Sequence, residues 1–222
     1  VPGDERVRAV IERVFADGEV CARSDGSRHA VFPVAVSAAE GEALRELVRR
    51  ERARSTIEIG LGYGIATLFV CEGLLGGEAG SGARHVAIDP HQRSRFADCA
   101  LQLLADAGLL DVVEHRPEPS ELALPRLLAA GERFDLAFVD GNHRFDGVFV
   151  DLFYLGRLVR PGSVIVLDDY QLPGVRRAAA FFVSNLGWTI EEVSPPDELH
   201  RWAVVRTARG PDMRHYDAFV DF

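Results

Sequence analysis

The sequence predicts an α/β fold: a doubly wound, mostly parallel sheet of seven strands, with helices ahead of it and an antiparallel hairpin at its C-terminal end. Three observations predict it. From residue 55 onward, short apolar runs alternate with segments of helical spacing, the pattern of strands joined by crossover helices. The inner runs, such as "LAFV" (136–139) and "VIVL" (164–167), are unbroken, as burial of parallel strands on both faces requires. Polar residues also stand at the carboxyl ends of five successive strands, where such sheets bind ligands: Glu58 and the glycines after it, Asp89, Ser120, Asp140, and Asp168 with Asp169.

The elements follow in order. Val7, Val10, Ile11 and Val14 share helical spacing and give a first helix. "ARSDGSRHA" (22–30) reads as a polar loop. Ser37 opens a second helix, with Glu40 three residues on as a capping box and Leu44, Leu47 and Val48 as its buried stripe. "STIEIG" (55–60) is a strand, "ATLFVCEGLL" (66–75) a helix, "GGEAGSG" (76–82) a flexible loop and "HVAID" (85–89) a strand. "RSRFADCALQLLADAG" (93–108) reads as one helix ended by Gly108. Then come strand 111–116, helix 120–131, strand 134–140, a helix over 147–162 stopped by Pro161 and Gly162, strand 163–169 and helix 174–187. "WTIEEV" (188–193) and "RWAVVRT" (201–207) form the antiparallel pair, joined across "SPPDELH". One domain is expected over 1–222: a helical cap (1–54), a core (55–207) and a tail (208–222). The tail is open between a free segment and an element that packs on a partner, and a homodimer is one expectation.

Apolar residues make up 47% of the 222 and charged residues 27%, a globular composition. A net charge of −9 argues against nucleic-acid binding, which needs a basic footprint. No run of about 18 apolar residues exists to span a membrane. "VPGDERVRAV" has no apolar core of a signal peptide, so a cytoplasmic location is expected. Cys21, Cys71 and Cys99 lack metal-binding spacing and fit a reducing compartment, Cys71 and Cys99 as core residues.

"EIGLGYG" sets Gly60, Gly62 and Gly64 between a strand and a helix, where glycine allows positive φ and close approach of a ligand to the backbone. A dinucleotide fingerprint would be G-x-G-x-x-G. Here the third glycine comes one residue early, and Glu58 precedes the first. A carboxylate is unwelcome beside a pyrophosphate and suits a cationic ligand, which favours S-adenosylmethionine over NAD. Asp89 ends the next strand, where a carboxylate accepts hydrogen bonds from both ribose hydroxyls. Tyr63 and Phe145 are candidates to shape the pocket, and His91 to approach the adenine edge.

The order "EIGLGYG", "VAIDP", "PSELALPRL", "FDLAFVDGNHRFDGVFVDL", "LVRPGSVIVLDDY" resembles the class I S-adenosylmethionine-dependent methyltransferases, with their Rossmann-like sheet. It is similar in particular to the catechol O-methyltransferase-like group, which includes bacterial natural-product and sugar O-methyltransferases. The resemblance covers about residues 35–207. It implies O-methylation of a small hydroxylated substrate, with Glu58, Gly60, Gly62, Tyr63, Gly64, Asp89 and Asp140 on the cofactor and Ser120 on its adenine side. From the residues alone, Ser120 is equally an N-cap for "ELALPRLL".

Asp140, Asp168 and Asp169 end two central strands. Adjacent strands lie about 4.8 Å apart, so these acids can share one ion, and oxygen donors suit Mg2+. The resemblance places a metal on the matching positions, although the second acid of the pair is Asn in catechol enzymes proper. The alternative is that Asp168 and Asp169 cap the next segment or face water. His143 titrates near neutral pH and suits proton removal from a hydroxyl. Sugar-methylating relatives take their base from a D-x-x-H spacing, while catechol enzymes carry lysine there. The alternative is a histidine that only hydrogen-bonds the cofactor or backbone. His29, His91, His115, His200 and His215 read as surface or loop residues. An NAD-linked oxidoreductase, a metal-independent methyltransferase and a non-catalytic binding module are the other readings.

Overall fold

The structure, a computed structural model, describes residues 3–77, 82–198 and 200–222. Four residues of the expected loop "GGEAGSG", 78–81, lie outside the described residues. The chain forms two compact units, Val1–Ser120 and Glu121–Phe222. The strands make a seven-stranded, mostly parallel sheet, as the alternation of elements predicts.

In the first unit, α1 (Gly3–Asp17) buries Val7, Val10, Ile11 and Val14, the expected stripe. The segment expected as a loop ends in a short strand: β2 (Arg28–Ala30) pairs antiparallel with β1 (Glu19–Cys21), and residues 22–27 join them. Strands of three residues are too short to show a period-two pattern, so the sequence hides them. Ser37 caps α2 (Ala38–Arg50), its Oγ accepting from the Glu40 amide at 3.1 Å. The main-sheet strands β3 (Ser55–Ile59), β4 (Arg84–Ile88) and β5 (Val113–Arg116) run parallel, in the order β5-β4-β3. The helix after β3, α3 (Ile65–Leu75), is buried on all sides and packs against α1 and α2, which is why it is apolar all round. Its one acid, Glu72, is fully buried and is held by Arg8 at 2.7 Å and Arg45 at 3.0 Å.

The expected helix 93–108 is two helices, α4 (Gln92–Arg95) and α5 (Cys99–Ala107). Ala97 and Asp98 between them take left-handed φ values of 50° and 56°. The apolar residues Phe96, Cys99, Ala100, Leu103 and Leu104 are buried on both sides of the break, so the hydrophobic pattern runs through it unmarked.

In the second unit, α6 (Ser120–Ala129) leads to β6 (Phe134–Val139) and α7 (Phe145–Leu158). Next come β7 (Val159–Leu167), α8 (Pro173–Leu186), β8 (Thr189–Val193) and β9 (Ala203–Arg206). β6 and β7 are parallel; β9 runs antiparallel to β7, and β8 to β9. The helix expected to reach 162 stops at Leu158, and the strand begins before Pro161. Proline drives the residue ahead of it out of helical geometry, and here Val159 is already extended, with φ −79° and ψ 153°. The tail docks on its own unit: the Asn185 side chain donates to the Val220 carbonyl and accepts from its amide, both at 2.8 Å, and Phe222 packs on Phe181. Among the described residues, no helix is long and apolar enough to cross a membrane.

Candidate functional site

In the first unit the loop after β3 carries Gly60, Gly62 and Gly64 with φ values of 93°, 51° and 84°. Side chains rarely adopt these angles, which explains the glycines. Asp89, just past β4, is buried and braces the loop. Its Oδ2 accepts from the Gly62 amide at 2.9 Å and its Oδ1 from the His91 amide at 2.7 Å. Gln92 completes the brace by donating to the Gly62 carbonyl at 2.7 Å and to Asp89 Oδ2 at 3.0 Å. Both polar groups of the Gly62 peptide are therefore fixed. A Cβ placed on Gly62 would meet nothing within 4 Å among the described residues, so the space over it is open to a ligand. The three glycines and Asp89 thus come together as the sequence suggests.

Gln92 and His115 were not among the expected residues. His115, read as a surface or loop residue, is half-buried and lies 2.9 Å from the Asp89 carbonyl. The signal for Gln92 was its place three residues after Asp89, at the start of a helix.

Glu58 lies on β3. It is fully buried, accepts from Thr67 Oγ1 at 2.5 Å and lies 3.1 Å from His85 Nε2. His85 Nδ1 is hydrogen-bonded to Thr56 Oγ1 at 2.8 Å. Strand alternation puts Thr56 and Glu58 on one face, and register pairs Thr56 with His85. This network ties α3 to the sheet beneath the glycine loop. Tyr63 packs edge-on against Phe96 at 5.1 Å, Ser120 is the first residue of α6, and Phe145 lies against Phe149.

In the second unit, β6 and β7 end in register, with Val139 opposite Leu167, and the Asp168 amide donates to the Val139 carbonyl at 3.0 Å. Asp140 and Asp168 therefore stand side by side. Two groups of potential ligand atoms share Asp168: Asp140, His143 and Asp168, and Asp168, Asp169 and His200, each within 4.8 Å. His143 Nδ1 lies 3.0 Å from Asp169 Oδ2, while its Nε2 is 3.6 Å from Asp140 Oδ1. Asp169 Oδ1 meets His200 Nδ1 at 3.1 Å and accepts from Gln171 Nε2 at 2.6 Å. His200, expected as a surface or loop residue, lies in the loop before β9 and is part of the cluster.

The electrostatics of the cluster suit a cation. Asp168 is only 5% exposed, and among the described residues its Oδ1 has no hydrogen-bond partner. Burial raises the Asp140 carboxyl well above the usual range; His143 opposes this and the Asp168 carboxylate adds to it. Burial alone would lower His143, but Asp140 and Asp169 outweigh it and lift the imidazole to about 10. The contact with His143 holds Asp169 down at about 2, against the opposing effect of burial. An imidazole clamped in this way accepts no proton near neutral pH until its carboxylates are neutralised. Asp169 itself has a left-handed φ of 51°, unusual for a side-chain-bearing residue and typical of a constrained site.

Two neighbours shape this turn. Asn142 Oδ1 accepts from the Arg144 amide at 3.1 Å, making it a turn residue. A Cβ on Gly174 would stand 3.0 Å from the His143 carbonyl and the Phe145 amide, so the start of α8 presses on the turn.

A family described as a methyltransferase domain matches residues 57–170, just over half of the chain. A catechol O-methyltransferase of Mycobacterium tuberculosis is 34% identical over 136 residues, covering 61% of this chain and 57% of the relative. Tricin synthase 2 of Oryza sativa subsp. japonica is 31% identical over 133 residues, covering 59% of this chain and 42% of that protein. The matches thus span only about half the length of these curated relatives. Among solved structures, an O-methyltransferase from Bacillus cereus in complex with SAH has a TM-score of 0.70 at 21% identity, over 93% of this chain and 92% of that one. TomG from Streptomyces achromogenes, an O-methyltransferase in complex with SAM, has a TM-score of 0.69 at 23% identity, over 92% and 90%. These likenesses are ones of fold.

Proposed function

The chain belongs to the methyltransferase-domain family, and from that premise we propose that it is an S-adenosylmethionine-dependent O-methyltransferase. It would be assisted by a divalent cation and would act on a hydroxyl of a small metabolite. The observation that carries this reading is the acid cluster at the tips of β6 and β7, with one buried Asp168 oxygen left without a partner. The names of both catechol O-methyltransferase and the O-methyltransferase structures support methyl transfer to oxygen, and the former favours a phenol over a sugar or another natural-product hydroxyl.

When bound, S-adenosylmethionine supplies a methyl group on a good leaving group, and a divalent cation such as Mg2+ lowers the pKa of a coordinated hydroxyl. The residues divide the rest. Gly60, Gly62 and Gly64 give backbone access to the donor, and Asp89 and Gln92 hold that backbone rigid. Asp140, Asp168 and Asp169 offer oxygen donors to the cation. Asp169 orients His143 through Nδ1, which leaves Nε2 to take the acceptor proton. Glu58 acts from below, by fixing α3 under the loop.

The test is incubation with methyl-labelled S-adenosylmethionine and a panel of phenols and sugars, with mass spectrometry to find the product. Label on an acceptor oxygen is expected; S-adenosylhomocysteine binding without any labelled acceptor would count against catalysis. Gly174→Ala is expected to lower kcat by about tenfold to a hundredfold, with KM for the donor unchanged, because it shifts the backbone of His143.

A further inference from the structure

We infer that His200 is a nitrogen ligand of the cation at the acid cluster, so that the site prefers a transition-metal ion such as Mn2+ to Mg2+. The inference rests on the reading of Asp140, Asp168 and Asp169 as oxygen donors. Asp168, Asp169 and His200 each bring a ligand atom within 4.8 Å of the others. His200 Nδ1 and Asp169 Oδ1, 3.1 Å apart, are closed on each other through a proton, and metal binding displaces such protons. The deeply buried Asp168 Oδ1 lacks a hydrogen-bond partner among the described residues, as does His200 Nε2. The Asp168 oxygen is a donor of the kind a cation satisfies, and His200 joins it through Nδ1, the nitrogen that faces Asp169.

The backbone around His200 is built to keep it there. Gln171 donates through Nε2 to Asp169 Oδ1 and accepts through Oε1 from the Arg201 amide at 2.8 Å. The Tyr170 amide donates to the Arg201 carbonyl at 2.6 Å. Arg201 is thus stapled to the segment after Asp169, which holds its neighbour His200 at the acids. The donor set then mixes imidazole with carboxylate. Imidazole suits first-row transition-metal ions, of which Mn2+ also favours carboxylate oxygen, whereas Mg2+ keeps to oxygen and water.

The experiment uses the full chain with Mn2+ alone. Calorimetry reads affinity, and pulsed electron paramagnetic resonance reads nitrogen hyperfine modulation on the bound ion. The unmodified protein is expected to show that modulation and to bind Mn2+ more tightly than Mg2+. His200→Ala and the gentler His200→Gln should lose the modulation and bind Mn2+ at least about tenfold more weakly. His143→Ala should keep it. Bound Mn2+ without modulation, or modulation that persists in both His200 variants, overturns the inference. Absence of any Mn2+ or Mg2+ binding overturns the cation reading itself, so the two failures are distinct.

Discussion

Asp168→Ala is expected to abolish methyl transfer while S-adenosylhomocysteine still binds. The loss should be about a thousandfold or more, since a Lewis-acid contribution of several kcal/mol goes with the cation. Asp168 is the residue common to both groups of ligand atoms, and its buried Oδ1 has no hydrogen-bond partner among the described residues. The glycine loop proposed to hold the donor belongs to the first unit, which the substitution leaves intact. Isothermal calorimetry with S-adenosylhomocysteine, run beside a methyl-transfer assay, separates the two effects. The same logic gives a second sign without added metal. Asp168→Asn should raise the melting temperature, because it removes the charge that helps push Asp140 upward. A lower melting temperature would show that Asp168 is a structural acid, satisfied in some other way.

The second large effect lies at the other cluster. Asp89→Ala releases the Gly62 amide, the His91 amide and one bond of Gln92 together. The glycine loop loses its brace, and the part-buried amides lose a charged acceptor worth up to about 1.5–3 kcal/mol each. Binding of S-adenosylhomocysteine should weaken by about a hundredfold or more, and the melting temperature should fall. Mn2+ affinity in the second unit should stay within about twofold, because sites that share no partners respond independently. Equal loss at both clusters would mean that the substitution unfolds the chain.

Much of this was legible in the sequence, for physical reasons that differ from residue to residue. Asp140 and Asp168 were recognisable because each ends an unbroken apolar run, and parallel strands in one sheet bring such ends together. The glycines were recognisable because alternate Gly after a strand has few purposes other than positive φ. The break at Ala97 and Asp98 was hidden, since burial continues across it in the same pattern. Glu58 reads in the sequence as a ligand contact, yet its bond to Thr67 and its pairing with His85 depend on strand register and on how α3 lies over the sheet. His200 was missed for a related reason. Thirty residues of chain separate it from Asp169, and only the antiparallel return of β8 and β9 brings it back. Spacing reports local partners well and returns of the chain poorly.

The catalytic account rests on a cation at the tips of β6 and β7. Its most direct test is the rate of methyl transfer from S-adenosylmethionine to an accepted phenol after exhaustive chelation with EDTA, followed by return of Mg2+ or Mn2+. The account predicts a fall of about a hundredfold or more in EDTA and full recovery with the ion. An undiminished rate in excess EDTA would contradict it, and would leave Asp140, Asp168 and Asp169 without the role proposed for them.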